Sequence, residues 1–157
     1  MIVVADTSPL NYLILIGHIE ILRQIYGEVV IPPAVQDELL APEAPTPVKL
    51  WMSHPPPWLE IRTPNRINTL LHPSLDDGER EAIALAQMGG VGSLLLIDEL
   101  LGRREATRLG LEVIGTLGIL YRAHERGLLN LHEAIERLRA TSFKVSDALL
   151  RRFIDLA

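Results

Sequence analysis

The chain has 157 residues, 48% of them hydrophobic and 22% charged, which excludes a disordered segment and suits one folded domain over 1–157. A formal net charge of −5 excludes nucleic-acid binding through a bulk positive field. With no cysteine there are no disulfides or thiolate metal sites; with no signal-like start and no run near the ~20 apolar residues of a membrane span, a cytoplasmic, non-membrane protein is expected.

The chain opens on a β-branched run, Ile2–Ala5, that ends at Asp6-Thr7-Ser8-Pro9. Thr7 or Ser8 suits a helix N-cap and Pro9 a first turn, so a strand gives way to a helix there. Leu10, Leu13, Ile14 and Ile16 predict a buried helix that pauses near Gly17, and Ile19, Leu22 and Ile25 a second one. Glu28–Ile31 reads as a second strand, ended by Pro32-Pro33, which also start a helix with Val35, Leu39 and Leu40 facing inward. From Ala41 to Pro57 prolines are dense, and a surface excursion without clear regular structure is expected, although Trp51 and Trp58 suggest that it packs on something. Leu59–Arg62 suits a short strand.

Leu75-Asp-Asp-Gly-Glu79 opens a helix whose Ala82, Ile83, Leu85 and Ala86 form an apolar stripe, closed by Gly89-Gly90. Ser93–Ile97 is an apolar strand of the kind buried on both faces of a sheet. A helix over 100–110, a strand at Leu111–Ile114 and a helix over 116–127 follow. The segments 131–140 and 145–157 read as two amphipathic helices. This alternation predicts an α/β fold, a central parallel sheet with helices on both faces.

Four carboxylates stand where these elements begin or end: Asp6, Glu38, Glu79 and Asp98. Asp6 and Asp98 follow buried strands, and the crevice beyond strand carboxyl ends is where ligands bind in open α/β sheets. Acids gathered there repel one another, and a hard divalent cation with oxygen ligands is the usual remedy. Each also has an ordinary structural reading. Asp6 and Asp98 could simply cap the following helices, Glu38 could be solvated, and Glu79 sits with Asp76 and Asp77 in a first turn that favours negative charge.

Taken together, VVADTSPLNYL, VIPPAVQDEL, LDDGEREAIALA and the run from LLIDELLGRREA to HERGLL resemble the PIN-domain family, within it a toxin-like branch related to VapC toxins. The resemblance covers almost the whole chain and is most specific from LDDGE to ERGLL. It implies a three-layer α/β fold and a divalent-metal-dependent ribonuclease using Mg²⁺ or Mn²⁺. It also implies an RNA substrate, a cognate antitoxin and frequent dimerisation. Carried over by motif, the metal-binding and catalytic acids fall on Asp6, Glu38, Glu79 and Asp98, with Asp77 a rival for the third place. Ser8 and Thr116 are the supporting polar groups, with helix capping as their alternative role. The chain departs from that branch where Leu100-Leu101 precede Gly102-Arg103-Arg104 in a usually basic stretch, and where His124 replaces a common lysine.

Four clustered carboxylates raise one another's proton affinity, and one or two divalent ions relieve this while activating water and stabilising charge at phosphorus. Arg103 or Arg104 could touch the substrate backbone or be plain surface arginines. A phosphatase with a nucleophilic Asp is disfavoured by Ser8, which stands where such an enzyme wants a second Asp. The alternative is a PIN-like module that binds RNA or protein without cutting. The apolar last helix, with Leu149, Leu150, Phe153, Ile154 and Leu156, suggests a homodimer, unless it packs on its own sheet.

Overall fold

The aliphatic runs form short strands: β1 (Val3–Ala5), β2 (Val29–Ile31), β3 (Leu59–Ile61), β4 (Leu94–Leu96) and β5 (Glu112–Ile114). In the computed structural model, which describes residues 2–156, they make one all-parallel sheet in the order β3-β2-β1-β4-β5. Val4 lies opposite both Val30 and Leu95, so β1 is the centre of the sheet. The expected three-layer arrangement of a parallel sheet between helices is present. Ala157, the end of the expected last helix, and Met1 lie outside the described residues.

Side chains alternate across a strand, and here the alternation divides the core in two. Val3, Ala5, Val29, Ile31, Leu94 and Leu96 face one apolar cluster, while Val4, Val30, Leu95 and Ile97 face the other. The first cluster is covered by α1 (Thr7–Leu15), α2 (Ile21–Tyr26), α3 (Pro33–Leu40), α4 (Thr46–Ser53), α7 (Thr116–Glu125), α8 (Leu131–Arg139) and α9 (Asp147–Leu156). The second is covered by α5 (Asp77–Met88) and α6 (Leu100–Arg108), through Ala82, Ile83, Leu85, Ala86 and Ala106. Burial of Ile83 or Leu85 in this layer contributes roughly 1.5–3 kcal/mol each.

Two expectations need correction, and one alternative left open by the sequence is met in part. The proline-dense excursion contains a helix, α4, whose Val48 and Met52 are buried one turn apart. Its prolines fall at the start, where a missing N–H costs nothing. Trp51 and Trp58 pack on each other, ring centroids 5.9 Å apart. Leu40 is exposed rather than inward, because Val35 and Leu39 already fill the face of α3 that meets the core. The apolar face of α9 is partly used within the chain: Leu150 is buried, and Phe153 meets Tyr121 edge-on at 6.2 Å. Leu149 and Leu156 remain exposed. No helix among the described residues is long and apolar enough to cross a membrane.

β1 is the topological switch point. From it the chain moves to β2 and β3 on one side, then returns through α5 to β4 and β5 on the other. The carboxyl ends of β1 and β4 therefore flank a crevice that neither crossover fills.

Candidate active site

Asp6 and Asp98 open on this crevice. The Asp6 amide donates to Leu96 O at 2.9 Å, carrying the β1–β4 pairing one residue further. The Ile97 amide does the same toward Ile114 O at 2.9 Å, and Asp98 follows it. Glu38 arrives on the last turn of α3. Glu79 arrives on the first turn of α5, only 8% exposed. Glu38, Glu79 and Asp98 line one pocket of about 670 Å³ with Thr7, Ser8, Asp76 and Glu99, and Asp6 is buried behind it.

The elements are fastened so as to bring these acids in. Glu81 of α5 accepts the Ala34 amide at 3.2 Å, tying the start of α3 to α5. Arg80 braces the preceding loop by donating to Leu75 O at 3.0 Å and His72 O at 2.9 Å. Gly78 supplies the clearance: a Cβ there would stand 2.6 Å from Glu38 Oε1 and 3.4 Å from Asp6 Oδ1. Both carboxylates thus close on the same point of the α5 N-terminus.

The structural reading of Asp98 as a cap for α6 does not hold. Glu99 caps α6 instead, its carboxylate accepting the Gly102 amide at 2.9 Å. Asp98 accepts from the Thr116 amide at 2.7 Å, the Thr116 hydroxyl at 2.6 Å and the Ser8 hydroxyl at 2.9 Å. Ser8 and Thr116 therefore both bear directly on Asp98. Asp6 occupies the cap position of α1 but forms no cap hydrogen bond. The Thr7 hydroxyl donates to Glu38.

Asp77, the rival third acid, is exposed and does not line the pocket. Asp76 does. It caps α5 by accepting the Glu79 amide at 2.8 Å, and its charge bears on Asp6, Glu38 and Glu79 alike. Thr7, Asn11, Asp76, Glu99 and the segment Ser142–Lys144 are pocket residues that the sequence reading did not single out. The capping-box spacing of Asp76 and Glu79 was the available signal. Arg103 and Arg104 line a separate groove with Thr107, Arg108 and Val113. His124 is structural, its Nδ1 accepting the Leu131 amide at 3.2 Å.

Electrostatics follow from burial. Desolvation pushes Asp6 up to about 7, opposed by the Thr7 amide and reinforced by the charges of Asp76, Glu38 and Asp98. Desolvation and then Asp76 and Asp6 push Glu79 up to about 8. Glu38 is raised by burial, held back by the Thr7 hydroxyl and raised again by Asp76. Among the described residues, no ion pair relieves these acids. An oxygen-only donor set with unrelieved negative charge fits a hard divalent cation. As placed, no three His, Cys, Asp or Glu side chains among the described residues are gathered closely enough to share one ion.

Fold and pocket together define a parallel α/β protein with an acid-lined site at the switch point of its sheet. The chain belongs to the PIN-domain family: the family model DUF3368, described as a PIN domain, matches residues 2–157. Nuclease activity is general in this family, as is the use of divalent metal ions. No curated protein and no solved structure matches the chain.

Proposed function

We propose that the chain is a divalent-metal-dependent endoribonuclease that hydrolyses RNA phosphodiester bonds in the cytoplasm, as the toxin of a toxin–antitoxin pair. The observation that carries the reading is the convergence of desolvated carboxylates at the ends of β1 and β4, with no ion pair to any of them among the described residues. Asp6, Glu38, Glu79 and Asp98 are the residues that would hold Mg²⁺ or Mn²⁺, with Asp76 beside them. When bound, the ion supplies activation of the attacking water and neutralises charge developing at phosphorus. Ser8 and Thr116 fix the Asp98 carboxylate in one orientation, and Thr7 holds Glu38 until a stronger partner draws it away. The burial of Asp6 keeps bulk water from competing for its oxygens.

The proposal includes a homodimer, supported by the exposed Leu149 and Leu156 on α9. Sedimentation at micromolar concentration checks it, and a 17.5 kDa species alone would remove the dimer. A second reading, a PIN-like module that binds RNA or protein without cutting, draws on the absence of three acids sharing one point among the described residues. Incubation of the purified chain with structured and unstructured RNAs, with and without Mn²⁺, separates the two. Cleavage that requires Mn²⁺ and disappears in Asp6→Asn is the expected result. RNA binding without cleavage in any divalent ion leaves only the second reading.

A further inference from the structure

The acid pocket has another wall, built from a part of the chain far from the acids in sequence. Ser142, Phe143 and Lys144, in the connection from α8 to α9, line it together with Asn11 and Tyr12 of α1. This connection is braced at several points. The Thr141 hydroxyl donates to Leu138 O at 2.6 Å and accepts the Phe143 amide at 3.2 Å, turning the chain directly off the end of α8. Tyr12 and Ser142 share a hydroxyl hydrogen bond of 2.9 Å. The Tyr12 ring meets Phe143 edge-on, centroids 5.0 Å apart and planes at 80°, an arrangement the ring quadrupoles favour. Phe143 also packs on the main apolar cluster, so the turn is anchored to the core.

Lys144 is what this brace presents. Among the described residues it is the only cationic side chain lining a pocket that also holds Glu38, Asp76, Glu79, Asp98 and Glu99. It forms no ion pair with any of them among the described residues. An exposed lysine that shares a pocket with five carboxylates, and pairs with none of them among the described residues, is able to meet a mobile anion. Lysine suits this role as a strongly hydrated point charge on a flexible stem.

We infer that Lys144 is a positioning residue that holds a backbone phosphate of single-stranded RNA next to the phosphate at the acids. The half-buried Tyr12–Phe143 pair offers the surface on which an unstacked base rests. Single strands are favoured because their bases are free to stack on aromatic side chains, whereas a duplex hides them. The assignment rests on the ribonuclease reading only for the identity of the ligand.

Binding of a labelled single-stranded oligoribonucleotide, followed by fluorescence anisotropy in Ca²⁺, tests it, with Arg152→Glu on the exposed side of α9 as the charge control. Lys144→Glu is expected to weaken binding about tenfold and Lys144→Arg to retain it. Lys144→Ala is expected to lower the slope of log affinity against log salt by about 0.7. In Mn²⁺ cleavage assays the Lys144→Ala loss falls on KM, with kcat retained. Wild-type affinity in Lys144→Glu, equal weakening in Arg152→Glu, or no oligonucleotide binding by the wild-type chain would each overturn the assignment. A wild-type chain that binds, loses binding in Lys144→Glu, yet never cuts keeps Lys144 in this role and ends the ribonuclease reading instead.

Discussion

Asp6 and Asp98 end neighbouring strands, but their surroundings make asparagine a different substitution at each. Asp98 accepts three hydrogen bonds, from the Thr116 amide, the Thr116 hydroxyl and the Ser8 hydroxyl. An asparagine keeps one acceptor oxygen and turns an NH₂ toward hydroxyls that must then reverse their roles, which costs about 1 kcal/mol. Asp6 has no cap hydrogen bond and sits buried among like charges. Removing its charge relieves both desolvation and repulsion. Asp6→Asn is therefore expected to raise the melting temperature of the metal-free chain at about pH 8, and Asp98→Asn to lower it. Both are expected to abolish Mn²⁺-dependent RNA cleavage, measured alongside thermal unfolding. From sequence alone the two variants could not be told apart, since the donors around Asp98 come from positions 8 and 116 and only the fold joins them. Cleavage at the wild-type rate in both variants would end the quartet assignment.

At the scale of elements, the N-terminus of α5 decides how the pocket closes. Gly78 lies within that helix, where alanine is ordinarily more favourable by about 1 kcal/mol. Its added Cβ would stand 2.6 Å from Glu38 Oε1, the far end of a side chain that can swing away. Gly78→Ala is thus expected to leave thermal stability within about 1 kcal/mol of wild type while cutting RNA cleavage severely. A variant as active as wild type would show that Glu38 is not needed where it stands. The same helix shows what was legible in the sequence. Its apolar stripe was readable from Ala82, Ile83, Leu85 and Ala86, all of which are buried. Its phase also separates the acids in space: Asp76, Glu79 and Ile83 fall on one face at i, i+3 and i+7, whereas Asp77 falls off it. Three carboxylates in the segment 76–79 concealed this, because composition alone does not show which face turns inward. Helix α4 was hidden for a different reason. Pro45 and Pro47 read as breakers, yet at a helix start they are compatible with the backbone, and the Val48–Met52 spacing carried the helical signal. The strands were found within a residue or two: β1, β2 and β4 are buried throughout and leave unbroken aliphatic runs, whereas β3 and β5, at the sheet edges, each carry a glutamate and were marked by their flanking turns and helices.

The whole molecule gathers acids at one end of a sheet whose two faces are otherwise apolar, and its stability should register that charge. Asp6 and Glu79 have folded-state pKa values raised to about 7 and about 8, against unfolded values near the ordinary carboxylate range of about 4. The folded chain therefore binds their protons more tightly than the unfolded chain does. The resulting stabilisation is fully present below the ordinary carboxylate range, and it is lost as pH rises through about 7 for Asp6 and about 8 for Glu79. A divalent cation bound by these oxygens must displace the protons, so it competes poorly at low pH and well at high pH. Melting of the metal-free chain in a chelator is accordingly expected to fall between about pH 5 and about pH 8. Added Mn²⁺ is expected to raise the melting temperature far more at the upper pH than at the lower one, through preferential binding to the folded state. In Asp6→Asn the Mn²⁺ increment should shrink at both pH values, because one ligand and one displaceable proton are gone. An increment of the same size at both pH values, or one undiminished in Asp6→Asn, would mean that the ion binds somewhere other than these carboxylates.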